Sequence, residues 1–220
     1  MNDRYEFHAI STSTYKDQSY EMIKNAILYR KLKVGEIYSQ DSICSELGIS
    51  RTPVREALLE LSKEGYITFL RGRGIMVVPV DPHEADDIIE FRTILELSAV
   101  ELAASRINDT QLDGLVALTK QMREAITEQN SSEELYKTDR AFHKAVCSAS
   151  GNSWIVKSVE NCRDHYLRVE TQTAFNDIEG AEMVLNEHEA ILEALRARDP
   201  EKAAHAMRKH LENSYDRSIN

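Results

Sequence analysis

Apolar positions change their spacing along this chain, and the change divides it into two parts. From about residue 40 to 63 they recur every three to four residues. Ile43 and Leu47 lie on one face of a short segment from Gln40 to Leu47, and Val54, Ala57, Leu58 and Leu61 lie on one face of the next. These spacings predict two helices separated by a tight turn at Gly48, with Ser39 capping the first. Gly65 ends the second helix. The β-rich runs YITFL and IMVVPV follow, joined by Arg71-Gly72-Arg73-Gly74, which predicts a hairpin. Pro79 and Pro82 stop the sheet and discourage helix before His83. Beyond them the helical period takes over. A first long helix over about 83–106 is expected to bury the stripe Ile88, Phe91, Leu95, Ser98 and Leu102. Further helices are expected over about 109–129, 132–149, 153–175, 180–198 and 200–217. Asn108 or Asp109, Ser131 and Asp199 stand where caps belong. The fold class is therefore mainly α: a helix-turn-helix with a β wing, then an all-α helical bundle. The boundaries are an arm over 1–14, a winged unit over 15–78, a linker over 79–82 and a bundle over 83–217.

The second helix of the first part has the chemistry of a helix that enters the DNA major groove. Ser50 or Thr52 can cap it with a hydroxyl, and Pro53 falls in the first turn, where its missing N–H costs nothing. Arg51 and Arg55 are four apart and share one face at the N-terminal end, opposite the apolar stripe. The hairpin tip Arg71-Gly72-Arg73 suits a wing that dips into the minor groove or rests on phosphates. A lone helical pair is more often ordinary packing, and two tip arginines are usually just solvated. Their joint occurrence in this order makes a winged helix-turn-helix for double-stranded DNA.

A net charge of −10 over 220 residues at first opposes that reading. Residues 1–80 carry 11 Lys/Arg and 10 Asp/Glu, leaving 16 against 27 for the remainder. The acidity belongs to the bundle, and the head is slightly basic. So weak a positive charge implies modest non-specific affinity, and tight binding then needs two heads, hence a homodimer. No apolar run approaches the ~18 residues of a membrane span, and no signal peptide is recognisable. Cys44, Cys147 and Cys162 are too few and scattered for a disulfide framework, so they are expected to be reduced thiols in a cytoplasm.

The bundle carries a second chemical signal. Asp139 and His143 are one helical turn apart in DRAFH, and His188 and His210 follow on separate predicted helices, each beside apolar neighbours. Imidazole and carboxylate suit Zn²⁺, Ni²⁺ or Mn²⁺, and facing helices of a bundle are where such sites are built. Three His and one Asp leave coordination positions open for a ligand oxygen. The blander alternative is a set of hydrogen-bonded core histidines. Arg92 and Glu96 form either an i,i+4 pair or, through Arg92, a fork for a ligand carboxylate. Asn152 in SGNS reads as a turn and cap residue, and His165 with Arg163 and Arg168 reads as a solvated face.

The run SRTPVREALLELSKEGYI followed by RGRGIMVV resembles the DNA-binding domain of the GntR family of bacterial transcription regulators, over about Tyr15 to Val80. The resemblance implies DNA contacts from Arg51, Thr52 and Arg55 and a wing tip at Gly72 with Arg71 and Arg73, and Ser50 at the helix start is expected to join the DNA-binding set. Asp41 departs from it, because some relatives have a base-reading arginine there. Residues 83–217 resemble the ligand-binding (FCD-like) domain of the subfamily typified by the fatty-acid-responsive regulator, in its metal-binding variant. That implies a divalent metal, zinc foremost, on Asp139, His143, His188 and His210, with Arg92 and Asn152 near a small carboxylate effector. The implied function is a ligand-gated regulator, more commonly a repressor, on a near-palindromic operator. Two rival readings are a metalloenzyme with a DNA-binding appendage and a constitutive DNA-binding protein with a structural metal. No H-E-x-x-H or similar catalytic pattern supports the first.

Overall fold

The computed structural model describes residues 13–128, 131–169, 175 and 177–219; most of the expected arm, and the predicted helix beyond residue 169, lie outside them. Contacts divide the chain into two compact units, with the boundary between Pro79 and Val80.

The first unit runs α1 (Tyr15–Leu28), β1 (Ile37–Tyr38), α2 (Gln40–Leu47), α3 (Arg51–Lys63), β2 (Ile67–Leu70) and β3 (Gly74–Val77). Thr14 belongs to a cap rather than to an arm: its hydroxyl accepts from Asp17 N–H, and the Asp17 carboxylate reaches back to the Thr14 N–H. Ser39 caps α2 by accepting from Ser42 N–H, and Gly48 turns the chain at φ 64°. Val54, Ala57, Leu58 and Leu61 are fully buried, and Ile23, Ile27 and Leu28 of α1 complete the core with Ile43. The sheet order is β1-β3-β2, antiparallel throughout, with Ile37 opposite Met76 and Ile67 opposite Val77. Strand β1 is too short to announce itself in the sequence. Its presence explains Gly74, which begins β3 rather than sitting in the loop. At φ 117°, a Cβ on Gly74 would lie 2.2 Å from the Tyr38 carbonyl oxygen, so only glycine lets β1 approach.

The second unit is six helices among the described residues: α4 (Pro82–Arg106), α5 (Asp109–Thr127), α6 (Ser132–Ala149), α7 (Ser153–Val169), α8 (Ile178–Arg196) and α9 (Pro200–Ile219). Helix α4 packs against α6, α7 and α9, and α8 packs against α5 and α9. The helix starts one residue earlier than predicted, because Pro82 fits the first turn and Asp81 caps it by accepting from His83 N–H. Asn108, not Asp109, caps α5 in a reciprocal box with Gln111.

The predicted core stripe of α4 is wrong. Phe91 is 49% exposed and Ser98 is exposed, while Ile88, Leu95 and Leu102 are only half-buried. The buried face instead carries Arg92, Glu96, Ala99, Val100, Ala103 and Ala104. Apolar residues occupy more than one side of this helix, so periodicity offers two stripes. Neighbouring helices take the one with small side chains, which allows close approach. No helix among the described residues is long and apolar enough to cross a membrane.

Candidate functional site: a metal centre and a nucleic-acid interface

In the first unit, α3 presents Arg51, Thr52 and Arg55 to solvent, and the β2–β3 tip presents Arg71, Gly72 and Arg73. Gly72 reverses the chain at φ 71°. Ser50 is the N-cap by backbone geometry, but its hydroxyl makes no capping hydrogen bond. The expected cap is therefore absent, and the first N–H groups of α3 keep their capacity to bind an anion. Arg51 is not isolated: its Nη2 donates to the Asp41 carboxylate at 2.8 Å.

In the second unit, four side chains from three helices converge. The nearest nitrogen and oxygen atoms of Asp139 and His143 (α6), His188 (α8) and His210 (α9) all lie within 4.8 Å of one another. Asp139 and His143 share a face because they are four apart on α6. His188 is held by stacking on Phe142, with ring centroids 4.0 Å apart and planes 9° from parallel. His143 Nε2 faces His210 Nε2 at 3.0 Å, and His188 Nε2 lies 3.3 Å from Asp139 Oδ1 without a hydrogen-bond partner among the described residues.

These atoms fit a divalent cation better than they fit one another. Two ring nitrogens at 3.0 Å can share only one proton, and an unpartnered imidazole nitrogen in a sealed core is costly. The remaining ring nitrogens are aimed from behind. His143 Nδ1 contacts Glu96, and His210 Nδ1 contacts Glu187 at 2.8 Å. A carboxylate behind a histidine fixes which ring nitrogen faces a metal. Burial pushes the His210 pKa down to about 3, with His143 and His188 adding to it against Glu187, so the ring is neutral at pH 7. Burial also lowers that of His188. For Asp139, burial opposes ionisation, but the Arg163 guanidinium and His143 outweigh it and hold the carboxyl well below its usual range. A neutral His210 and an ionised Asp139 are the protonation states a metal requires.

Beside this cluster lies a small cavity of about 20 Å³, whose lining includes Arg92, Asp139, Arg163 and His210 together with Tyr136 and Phe175. Arg92 Nε donates to Glu96 at 2.7 Å, with both side chains almost wholly buried, and its guanidinium sits 4.2 Å from the Tyr166 ring centroid. Arg163 binds both Glu96 and Asp139, while its Nε has no hydrogen-bond partner among the described residues. The expected solvated face of α7 is thus corrected at Arg163. Its partners lie 24 and 67 residues away in the chain, so no local spacing could have revealed them. Glu187 was equally unmarked. Asn152 caps α7 by accepting from the Trp154 and Ile155 N–H groups, and it does not line this cavity.

A winged helix-turn-helix joined to a helical bundle with a buried histidine–carboxylate cluster defines a class: DNA-binding transcription regulators with a separate helical domain. Residues 15–77 match the family described as bacterial regulatory proteins, gntR family, and residues 87–213 match the FCD domain. The chain belongs to the GntR family of transcription regulators, with an FCD domain as its second unit. It is 31% identical over 189 residues to the Exu regulon transcriptional regulator of Escherichia coli K12, covering 78% of this chain and 71% of that one. It is 26% identical to the HTH-type transcriptional repressor RspR of the same organism, covering 91% and 87%. Among solved structures, E. coli McbR/YncC superposes with a TM-score of 0.81 at 24% identity, covering 93% and 97%, and shares the fold. These relatives are regulators, not enzymes.

Proposed function

We propose that this chain is a cytoplasmic repressor that binds a near-palindromic operator as a homodimer and releases it when a small carboxylate binds beside a divalent metal ion. The observation that carries the reading is the convergence of Asp139, His143, His188 and His210, with donor atoms within 4.8 Å, next to an arginine-lined cavity. Zinc is the ion we assign, because three imidazole nitrogens and one carboxylate oxygen form a donor set of intermediate softness; nickel and manganese are its competitors. Asp139, His143, His188 and His210 would hold such an ion, and it would supply a positive centre toward which a carboxylate is drawn.

Among the described residues, the buried charges around the cavity balance without an ion. Arg92 and Arg163 are matched by Glu96 and Asp139, and Arg140 is paired with Asp164. A divalent cation therefore leaves an excess of positive charge in a buried place, and an anionic effector relieves it. Arg92, and the unpartnered Nε of Arg163, are positioned to receive it. The name of the relative RspR, a transcriptional repressor, supports the sign of regulation. Arg51, Thr52, Arg55 and the wing arginines, with the uncapped N-terminus of α3, are the groups we assign to the operator.

The test has two arms. Elemental analysis of the purified chain should give one equivalent of metal per chain, lost in the His143→Ala/His188→Ala double variant; full retention there rejects the site. With a duplex enriched from a random pool, some member of a carboxylate panel should weaken binding by the metal-loaded wild type and leave Arg92→Ala unaffected. No response across the panel would favour a structural metal instead.

A further inference from the structure

We propose that Asp41 is itself a base-reading residue, forming with Arg51 a paired acceptor and donor that selects a cytosine next to, or paired with, a guanine in each half-site. The inference rests on the reading of Arg51 as a DNA contact. Asp41 stands in the first turn of α2 and Arg51 in the first turn of α3, the two helices of the helix-turn-helix. Arg51 Nη2 donates to Asp41 Oδ2 at 2.8 Å, with the two side chains 74% and 65% exposed. The Gln40 side-chain amide also donates to the Arg51 carbonyl at 3.4 Å, so the starts of the two helices are tied together.

Folding does not explain this pair. Exposed single ion pairs contribute little to stability. An acid on this face has an evident drawback, since it repels the phosphates that the head must approach. Arg51 satisfies one carboxylate oxygen, and a second donor, supplied by the DNA, offsets the repulsion from the phosphates. In the major groove the base donors are the amino groups of cytosine and adenine. Adenine presents the N7 lone pair next to its amino group, which a carboxylate would oppose, whereas cytosine N4 has a C–H beside it. Cytosine is thus the preferred partner for Asp41. Arg51, whose guanidinium is held on one side by Asp41, keeps its other N–H groups for guanine O6 and N7. Away from DNA the pair neutralises the charge of Arg51 and lowers the grip of the head on unrelated sequence.

The test uses the full-length chain. Motifs are enriched from a randomised duplex pool, and binding is then titrated on duplexes substituted one base pair at a time. The wild type should enrich a cytosine at one position per half-site. Asp41→Ala should lose about tenfold of the discrimination at that position alone. It should also bind unrelated duplex more tightly, with a steeper salt dependence. Asp41→Asn, which preserves shape, should shift the preferred base toward adenine. An Asp41→Ala motif identical to that of the wild type at every position overturns the proposal and leaves the DNA reading standing. Failure of the wild type to enrich any motif overturns both.

Discussion

Glu187 shows how much of the candidate metal site depends on side chains that would not touch an ion. It accepts from His210 Nδ1 at 2.8 Å, from Asn213 Nδ2 at 2.7 Å and from both terminal nitrogens of Arg217 at 2.9 Å. Burial disfavours its charge, yet His210 and Arg217 outweigh that and pull its pKa down to about 2. Glu187→Gln keeps the shape and removes the charge behind the ring. It should weaken metal affinity about 10–100-fold, read by competition with a chelator, while the helical content is unchanged. Equal affinity in the variant would reduce Glu187 to a packing residue. Arg163 is tested through stability instead. Its removal in Arg163→Leu leaves Asp139 and Glu96 buried with fewer partners. That should cost about 3–5 kcal/mol in urea denaturation of the metal-free chain, the range for breaking a buried ion pair from one side. A loss below about 1 kcal/mol would mean that water reaches the pair.

At the level of elements, termini and turns were read more easily than faces. Ser39, Asn108, Ser131 and Asp199 were all visible as caps because capping is a local rule about the hydroxyl, amide or carboxylate before a helical run. The four converging donors were legible only in part: Asp139 and His143 share a helical face, whereas His188 and His210 were joined to them by the family resemblance. What periodicity could not decide was which side of α4 is inward, because Phe91, Ile94 and Leu95 compete with an alanine stripe whose value depends on how closely α9 approaches. Arg163, Glu187 and β1 were hidden for a related reason: each acquires its role from a partner distant in the chain. Gly74 is the place where such a distant partner leaves no freedom. Gly74→Ala should destabilise the winged unit by about 1–3 kcal/mol, seen as a lower urea midpoint for that unit. An unchanged midpoint would show that β1 can move aside. The α9 cap titrates. Lys202 N–H donates to Asp199 at 3.0 Å, which with the Lys202 side chain lowers the Asp199 pKa from 3.8. A depressed acid stabilises fully above its unfolded value and loses that contribution as pH falls through the folded one. Amide exchange in the first turn of α9, corrected for intrinsic rates, should therefore quicken below about pH 4. Asp199→Asn should abolish that pH dependence.

On the scale of the whole molecule, the division of charge separates two tasks. Residues 1–80 are nearly neutral, while the remainder holds 27 acidic against 16 basic residues. Binding to DNA through so weakly charged a head gains little from any single copy, and the acidic unit resists non-specific association. Regulation then requires that effector affinity differ between arrangements that can and cannot hold the operator, since equal affinity shifts nothing. The same linkage gives a measurement that needs no operator. A ligand that binds only the folded chain at 100 times its Kd adds about 2.7 kcal/mol of stability. For a domain of this size that corresponds to a rise in Tm of roughly 5–10 °C. If Arg92 and the metal hold the carboxylate jointly, the rise should occur with the metal-loaded chain, disappear after stripping with a chelator and return when zinc is restored. A carboxylate that stabilises the stripped and loaded chains equally would place its binding elsewhere. One that stabilises neither would leave the buried cluster as a structural tie, and the operator response would have to originate outside it.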